Sequence, residues 1–534
     1  MDSSSRTLPR LRLLPAALLL VSAVARAATP GVDAPPEAQP PRPVVLPPMP
    51  EERLPNGLRV IVAPRTDLPL VSARLLVRAG PETDPAELAG LSSMAATLLS
   101  KGATRQGRAV DATTLAQQAE ALGGSLDTGS GWRSTTVSMT VTTPKLDAAL
   151  ALIADVARRP TLAADELERA RTQALDSLRV ALSSPGTVAG IAARQAYWGD
   201  SPYGVPVTPA SLQKISTADI RRFHAQQFRP DQAALVLAGD IDLETAMRLA
   251  RRHFGDWRAP RTPVPPLVSA QPRPQAESNV LVDMPGAGQS SVMVVGPFVA
   301  LDREDRQTRR IGQAANVLLG GGYSARLNQE VRIKRGLSYG AGSDAEAHPG
   351  GGMWSASAQT QNSTAAQVLQ VMREEVERLR REAPGREELE ARKATLIGSF
   401  SRRLESVGGL AATVSGQVAQ DRPLAELRGF VEEISAVTPQ QVQGFAQKYW
   451  APQALRGVIA GDLKAAGDLG ALGAAQRLTV SALAGTPAVP AASPIAAPAS
   501  APASSPVPSP TEPSPAKEPA PMAAEPTPAA TQPR

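Results

Sequence analysis

A chain of 534 residues is longer than one hydrophobic core supports, so it should divide into two or more domains with flanking segments. Its formal charge of +6 arises from 56 basic residues interspersed with 50 acidic ones, and aromatic residues make up only 3%. That composition argues against a base-stacking nucleic-acid surface, and zero cysteines exclude disulfides, thiolate metal sites, a Cys nucleophile and a lipid-anchored N-terminal cysteine.

Residues 1–27 have the order of a secretory signal peptide. Arg6, Arg10 and Arg12 precede an apolar run from Leu13 to Val24, and Ala25-Arg26-Ala27 forms a small-x-small cleavage site. The run is short of the ~20 residues that span a bilayer, and no later stretch of that length lacks charges. The expectation is an exported chain, periplasmic in a Gram-negative cell, with no membrane span after signal removal. Residues 28–50 are a Pro-rich spacer.

A first domain is expected over residues 51–259. Asn56-Gly57 is a turn signal ahead of a strand at 58–62, and residues 71–77 alternate as a second strand. In the stretch 90–102, Leu91, Met94, Ala95 and Leu98 recur at helical spacing and predict a core-facing helix. An amphipathic segment at 115–122 stops at Gly123-Gly124. β-Branched alternation predicts a strand at 135–141, helical periodicity covers 146–156 and 165–182, and 233–238 reads as a buried strand. This order specifies an α+β fold, an α/β sandwich whose mixed, largely antiparallel sheet carries helices on one face.

An internal repeat divides the chain. Phe223 pairs with Phe445, Pro230 with Pro452, Val236 with Val458, and Ala238-Gly239-Asp240 with Ala460-Gly461-Asp462, at a constant offset (461 − 239 = 222). A helix, a Pro turn and a buried strand ending in Gly-Asp therefore occur twice, which implies two copies of one domain. A Pro-rich linker at 260–277 joins them, and the second copy spans 278–480 with opening strands at 279–282 and 291–295. From Pro487 to Pro533 there are fifteen prolines and few large apolar residues, so residues 481–534 read as a disordered Ala/Pro-rich tail.

A metallopeptidase needs imidazole or carboxylate ligands converging on one ion, plus a carboxylate to take a proton from bound water. The three histidines, His224, His253 and His348, stand too far apart to write either a His-x-x-Glu-His or a His-Glu-x-x-His helix. His224 lies on the repeated helix where the second copy has Ala446, and reads as structural or exposed. His253 reads as the end of a helix, and His348, before Pro349, as loop.

The frame Gly90-Leu91-Ser92-Ser93-Met94-Ala95-Ala96-Thr97, followed by Lys101-Gly102, nevertheless resembles the zinc helix of the pitrilysin/insulysin metallopeptidases, which include the mitochondrial processing peptidases. In that resemblance Ser93 and Thr97 stand where the two histidines of the inverted motif would be, and Ala96 replaces its glutamate. Asp176 matches the family's more distant Glu ligand only loosely and reads as a solvated helix residue. A second block looks closely like the same family: Gly320-Gly321-Gly322-Tyr323-Ser324-Ala325-Arg326-Leu327, then Arg332 and Gly336-Leu337-Ser338-Tyr339. By itself it is a Gly-rich turn, a helix over about 324–334 and a strand start near 337.

The resemblance covers about residues 52–465 and implies a bowl-like half of a peptidase chamber. It implies that Arg332 orients a substrate carbonyl and that the Tyr339 hydroxyl stabilises the tetrahedral oxyanion. The chain would then be a zinc-less subunit of an exported heteromeric metalloendopeptidase, binding no cofactor itself. A homologous partner would carry zinc and the His-x-x-Glu-His site, and the substrate would be an unfolded peptide. The alternative is a non-enzymatic peptide-binding or scaffold protein of the same fold. Segments 122–126 and 352–358 are candidate sheet edges for strand addition by a peptide, or ordinary hairpin strands.

Overall fold

The computed structural model describes residues 45–264, 266, 268–269, 271–275 and 278–485. The signal-peptide reading of 1–27, most of the Pro-rich spacer and all but the first residues of the tail lie outside the described residues.

The first half contains strands β1 (Glu51–Arg53), β2 (Arg59–Pro64), β3 (Leu70–Val77), β6 (Asp127–Gly131), β7 (Ser134–Thr142) and β8 (Ala233–Gly239), and a small hairpin of β4 (Gly102–Arg105) and β5 (Arg108–Asp111). Its six-stranded sheet has the order β1-β2-β8-β3-β7-β6, with β2 and β8 parallel and the other neighbours antiparallel. The Asn56-Gly57 turn forms as expected. Gly57 adopts φ +94, and the Asn56 amide donates to the carbonyls of Phe254 and Trp257, pinning the turn to a helix end.

The second half repeats this plan with β9 (Asn279–Asp283), β10 (Ser290–Phe298), β11 (Ala341–His348), β12 (Gly351–Thr360), β13 (Arg456–Gly461) and β14 (Ala475–Thr479). Its order, β11-β12-β10-β13-β9-β14, is the first sheet read backwards except at the last edge, with both β13 and β14 parallel to β9. The sequence repeat is visible down to its capping. Ser216 and Asp219 form a capping box at the start of one helix, and Thr438 and Gln441 form its counterpart 222 residues on (438 − 216).

Each sheet places its own helices on one face. Val71, Ala73, Leu75 and Val77 of β3 meet the first half's helices, including α1 (Leu91–Leu99), α2 (Leu146–Arg158), α3 (Ala164–Leu182), α5 (Thr217–Gln227) and α6 (Leu243–Phe254). Val292 and Val294 of β10 meet α7 (Arg306–Gly320), α8 (Ala365–Arg381) and α11 (Pro439–Tyr449). The opposite faces are covered by exchange. Helix α4 (Pro185–Trp198) of the first half lies on β9, β10 and β13, burying Val188, Ala192, Ala196 and Trp198 against Val280, Val295 and Val458. Helix α10 (Val407–Ala419) of the second half lies on β3 and β8 with Leu410, Ala411 and Val414 against Leu76, Ala234 and Val236. Helix α9 (Arg386–Leu404) adds Phe400 to the same cluster. This swap explains why all seven residues of β8 are buried: a central strand with helices on both faces has no polar side to show. The cluster under α10 also takes Met49, and that under α4 takes Leu483, so both ends of the described chain are tied down.

Candidate functional site

Helix α1 forms where periodicity placed it. Leu91, Met94, Ala95 and Leu98 are buried. It starts at Gly90, whose φ of +101 suits glycine, and Asp84 satisfies its free N-terminal donors. The Asp84 carboxylate accepts from Gly90 N at 3.2 Å, Ser92 N at 3.1 Å and Ser92 Oγ at 3.0 Å. Burial pushes its carboxyl up to about 7 despite those donors.

Ser93 and Thr97 stand one turn apart on the exposed side of α1, whereas Ala96 is buried. Thr97 Oγ1 is already committed, donating to Ser93 O at 3.0 Å. Asp176, on the neighbouring α3, pairs with Arg179 at 2.9 Å and stays exposed. Two hydroxyls, a methyl and an ion-paired carboxylate do not make a zinc site. Among the described residues no three His, Cys, Asp or Glu side chains converge as metal ligands.

The second block is built differently. Helix α7 ends at Gly320, where a Cβ would sit 2.1 Å from Ser343 N, so glycine lets the helix end abut β11. The chain then passes through a short helix, Arg326–Asn328, into a π-helical turn, Gln329–Ile333, that carries Arg332. Such turns are rare and concentrate at functional sites. Glu330, at the buried side of the turn, is held by Lys334 at 2.6 Å and Arg335 at 2.5 Å. Arg332 has no carboxylate partner among the described residues; its guanidinium lies 4.9 Å from the Tyr323 ring centroid.

Gly336, at φ +60, ends the turn. The Leu337 carbonyl accepts from Thr360 Oγ1, and Ser338 Oγ donates to Gly340 O at 2.7 Å while accepting from Gly340 N at 3.1 Å. Tyr339 thus sits on a turn fixed on both sides and is itself 89% exposed. Among the described residues no hydrogen bond or ring contact joins Arg332 or Tyr339 to α1.

The histidines divide. His253 does close α6, paired with Asp147 at 2.6 Å, and His224 bonds the Ala157 carbonyl at 2.9 Å while burial lowers its pKa. His348 corrects the loop reading. It is the last residue of β11, buried, and stacked on Tyr203 of the first half at 4.1 Å. The Tyr203 hydroxyl donates to buried Glu82 at 2.7 Å, which Arg133 also holds at 3.2 Å. Burial raises Glu82. Burial also acts to raise Glu346, but its hydrogen bond to His348 and the Arg194 guanidinium outweigh this and hold its carboxyl at about 2. The cluster is a polar seam across the sheets, which the sequence hid because its members lie far apart in the chain.

The edge-strand readings also change. Residues 122–126 are a helix end and turn, and the edge strand is β6, immediately after. Residues 352–358 lie in β12, which is paired on both sides by β10 and β11, so β11 is the edge.

Two family models match this chain: insulinase (peptidase family M16) over residues 59–207, and the peptidase M16 inactive domain over 214–396. An uncharacterized zinc protease of Mycobacterium leprae is 26% identical over 398 residues, covering 74% of this chain and 88% of the relative. A non-peptidase homologue of Helicobacter pylori is 22% identical, covering 72% and 87%. Among solved structures, a peptidase M16 inactive domain from Pseudomonas fluorescens superimposes with TM-score 0.71 at 24% identity, over 77% of this chain and 98% of that one. A protease from Helicobacter pylori gives TM-score 0.72 at 20% identity, over 78% and 100%. With its repeated α+β halves, matching models across both of them, and Ser, Ala and Thr in place of the zinc-helix His, Glu and His, the chain belongs to the M16, insulinase-like peptidase family as a member without the zinc motif.

Proposed function

We propose that this chain is the zinc-less subunit of a heteromeric M16 metalloendopeptidase, supplying Arg332 and Tyr339 to a catalytic site completed by a homologous zinc-bearing partner. The observation that carries the reading is the contrast between the two blocks. The zinc frame on α1 has lost every strong ligand, whereas Arg332 has no carboxylate partner among the described residues and Tyr339 stands exposed on a braced turn. Arg332 would hold a substrate carbonyl through its guanidinium fork, and Tyr339 would donate its hydroxyl proton to the developing oxyanion. The partner would supply the metal and the general base. The apolar run and cleavage site in residues 1–27 support an exported setting.

The test is hydrolysis of an unstructured peptide by this chain, by a zinc-bearing M16 homologue from the same source, and by their mixture. Activity only in the mixture, lost with Arg332→Ala, supports the split site. A mixture unaffected by that substitution leaves a peptide-binding scaffold, the reading that the non-peptidase description of the Helicobacter pylori relative favours.

A further inference from the structure

Beside Tyr339 a cavity of about 470 Å³ opens on the face of the second sheet that α4 covers. Ser291 of β10 pairs in register with Gln359 of β12, and Met293 with Ser357, so these side chains share that face and line the cavity. The wall opposite is α4, and the cavity exists because two successive turns of that helix present Gly186 and Gly190. A Cβ built on Gly190 meets no atom within 4 Å, and one on Gly186 meets two side-chain ends at ordinary contact, Gln359 Nε2 at 3.5 Å and Ser184 Oγ at 3.8 Å. One turn farther, at Arg194, the gap closes with the ion pair to Glu346 at 2.5 Å.

Two features give the space a chemical preference. Its lining among the described residues contains hydroxyl and amide groups and no charged side chain. Ser291 is only 3% exposed as a residue, but its hydroxyl oxygen is not sealed off: it lines the cavity and, among the described residues, bonds no other side chain. A cavity-lining hydroxyl can both donate to and accept from a polar guest. The nearest charge on the same face of β11, two residues beyond cavity-lining Gly342, is the carboxylate of exposed Asp344, which would repel an acidic guest.

We propose that this cavity is a specificity subsite that receives a neutral hydrogen-bonding side chain, an amide or a hydroxyl, from an extended peptide lying beside Tyr339. The inference rests on the proposed function for its substrate class. It is a claim about binding by this chain, however, and does not require that Tyr339 act on a partner's metal site. Ser291 and Gln359 would bond the guest, and Gly190 would keep the entrance wide.

The test measures fluorescence-anisotropy binding to the full chain of Gly/Ala peptides that differ at one central residue: Gln, Ser, Leu, Lys or Glu. The Gln and Ser peptides should bind about tenfold or more tighter than the Glu peptide, since an unpaired charge is costly to desolvate. Gly190→Leu should fill the cavity and abolish the Gln preference with no loss of melting temperature, and Ser291→Ala should weaken the Gln and Ser peptides alone. Equal binding of all five peptides, a preference for Leu or Lys, no binding at all, or indifference to Gly190→Leu would each overturn the subsite. Failure of the catalytic reading would show separately, as hydrolysis by the mixed subunits that ignores Arg332→Ala.

Discussion

In the first half, the helix after the third strand, α1, runs nine residues and packs on the edge strand β6. In the second half its positional counterpart, α7, runs fifteen residues and packs on the edge strand β11. The scaffold is the same, but what each helix carries is not. α1 presents Ser93 and Thr97, while α7 passes into the glycine turn and the π-helical segment that hold Arg332 and lead to Tyr339. The halves also differ at the far edge, where β1 runs antiparallel to β2 but β14 runs parallel to β9. The comparison teaches that exchange of α4 and α10 constrains the cores of both halves equally, whereas groups on the exposed faces are free to differ. Ser93 and Thr97 lie on the exposed face of α1, where the core of the half does not depend on which side chains stand.

Removing an exchanged helix's anchor should have the largest effect on both halves. Trp198 of α4 is fully buried against the second sheet, and Trp198→Ala should lower stability by about 3–5 kcal/mol in urea unfolding. Leu410→Ala on α10 should cost about 2–5 kcal/mol in the same assay. Both variants should still unfold in one transition followed by probes in either half. Two separate transitions would show that the exchange does not couple the halves.

A pH-dependent effect distinguishes α1. Asp84 has a folded-state pKa of about 7 against an ordinary value of 3.8, so the folded protein binds its proton more tightly than the unfolded chain. Its contribution is greatest below pH 4 and is lost as pH rises towards 7, at no more than about 1.4 kcal/mol per pH unit. Asp84→Asn keeps an acceptor for the helix N-terminus and should flatten stability between pH 4 and 7, as thermal melts across that range would show. The smallest effect belongs to Asp176→Ala, which should change stability by less than about 0.5 kcal/mol, since both it and its partner Arg179 are exposed.

Much of the scaffold was legible in the sequence because local signals agreed. The 222-residue repeat, the Asn56-Gly57 turn, the α1 periodicity and the run at 233–238 each carry their own stereochemistry. The exchange of α4 and α10 was not legible, because an Ala/Gly-rich helix such as Pro185–Trp198 has a weak apolar face that does not say which sheet it covers. Strand edges were misplaced because pairing is long-range: β12 alternates whether or not β11 lies outside it. His348 was misread because Pro349 marks a turn and hides the buried strand end before it. Arg332 and Tyr339 are singled out by the resemblance of their block to the family's segment, whereas Tyr323 beneath Arg332 and Asp84 at the α1 N-terminus are single residues in Gly/Pro-rich turns that carry no periodic signal.

In the proposed complex this chain lends an oxyanion donor to a zinc site it does not possess. The most direct measurement is kcat and KM for peptide hydrolysis by the mixed subunits with Tyr339→Phe, which removes one hydroxyl from an exposed ring. A fall in kcat of about 10²–10³ with KM little changed is expected, because the lost interaction forms only in the transition state. An unchanged kcat would contradict the donor role of Tyr339.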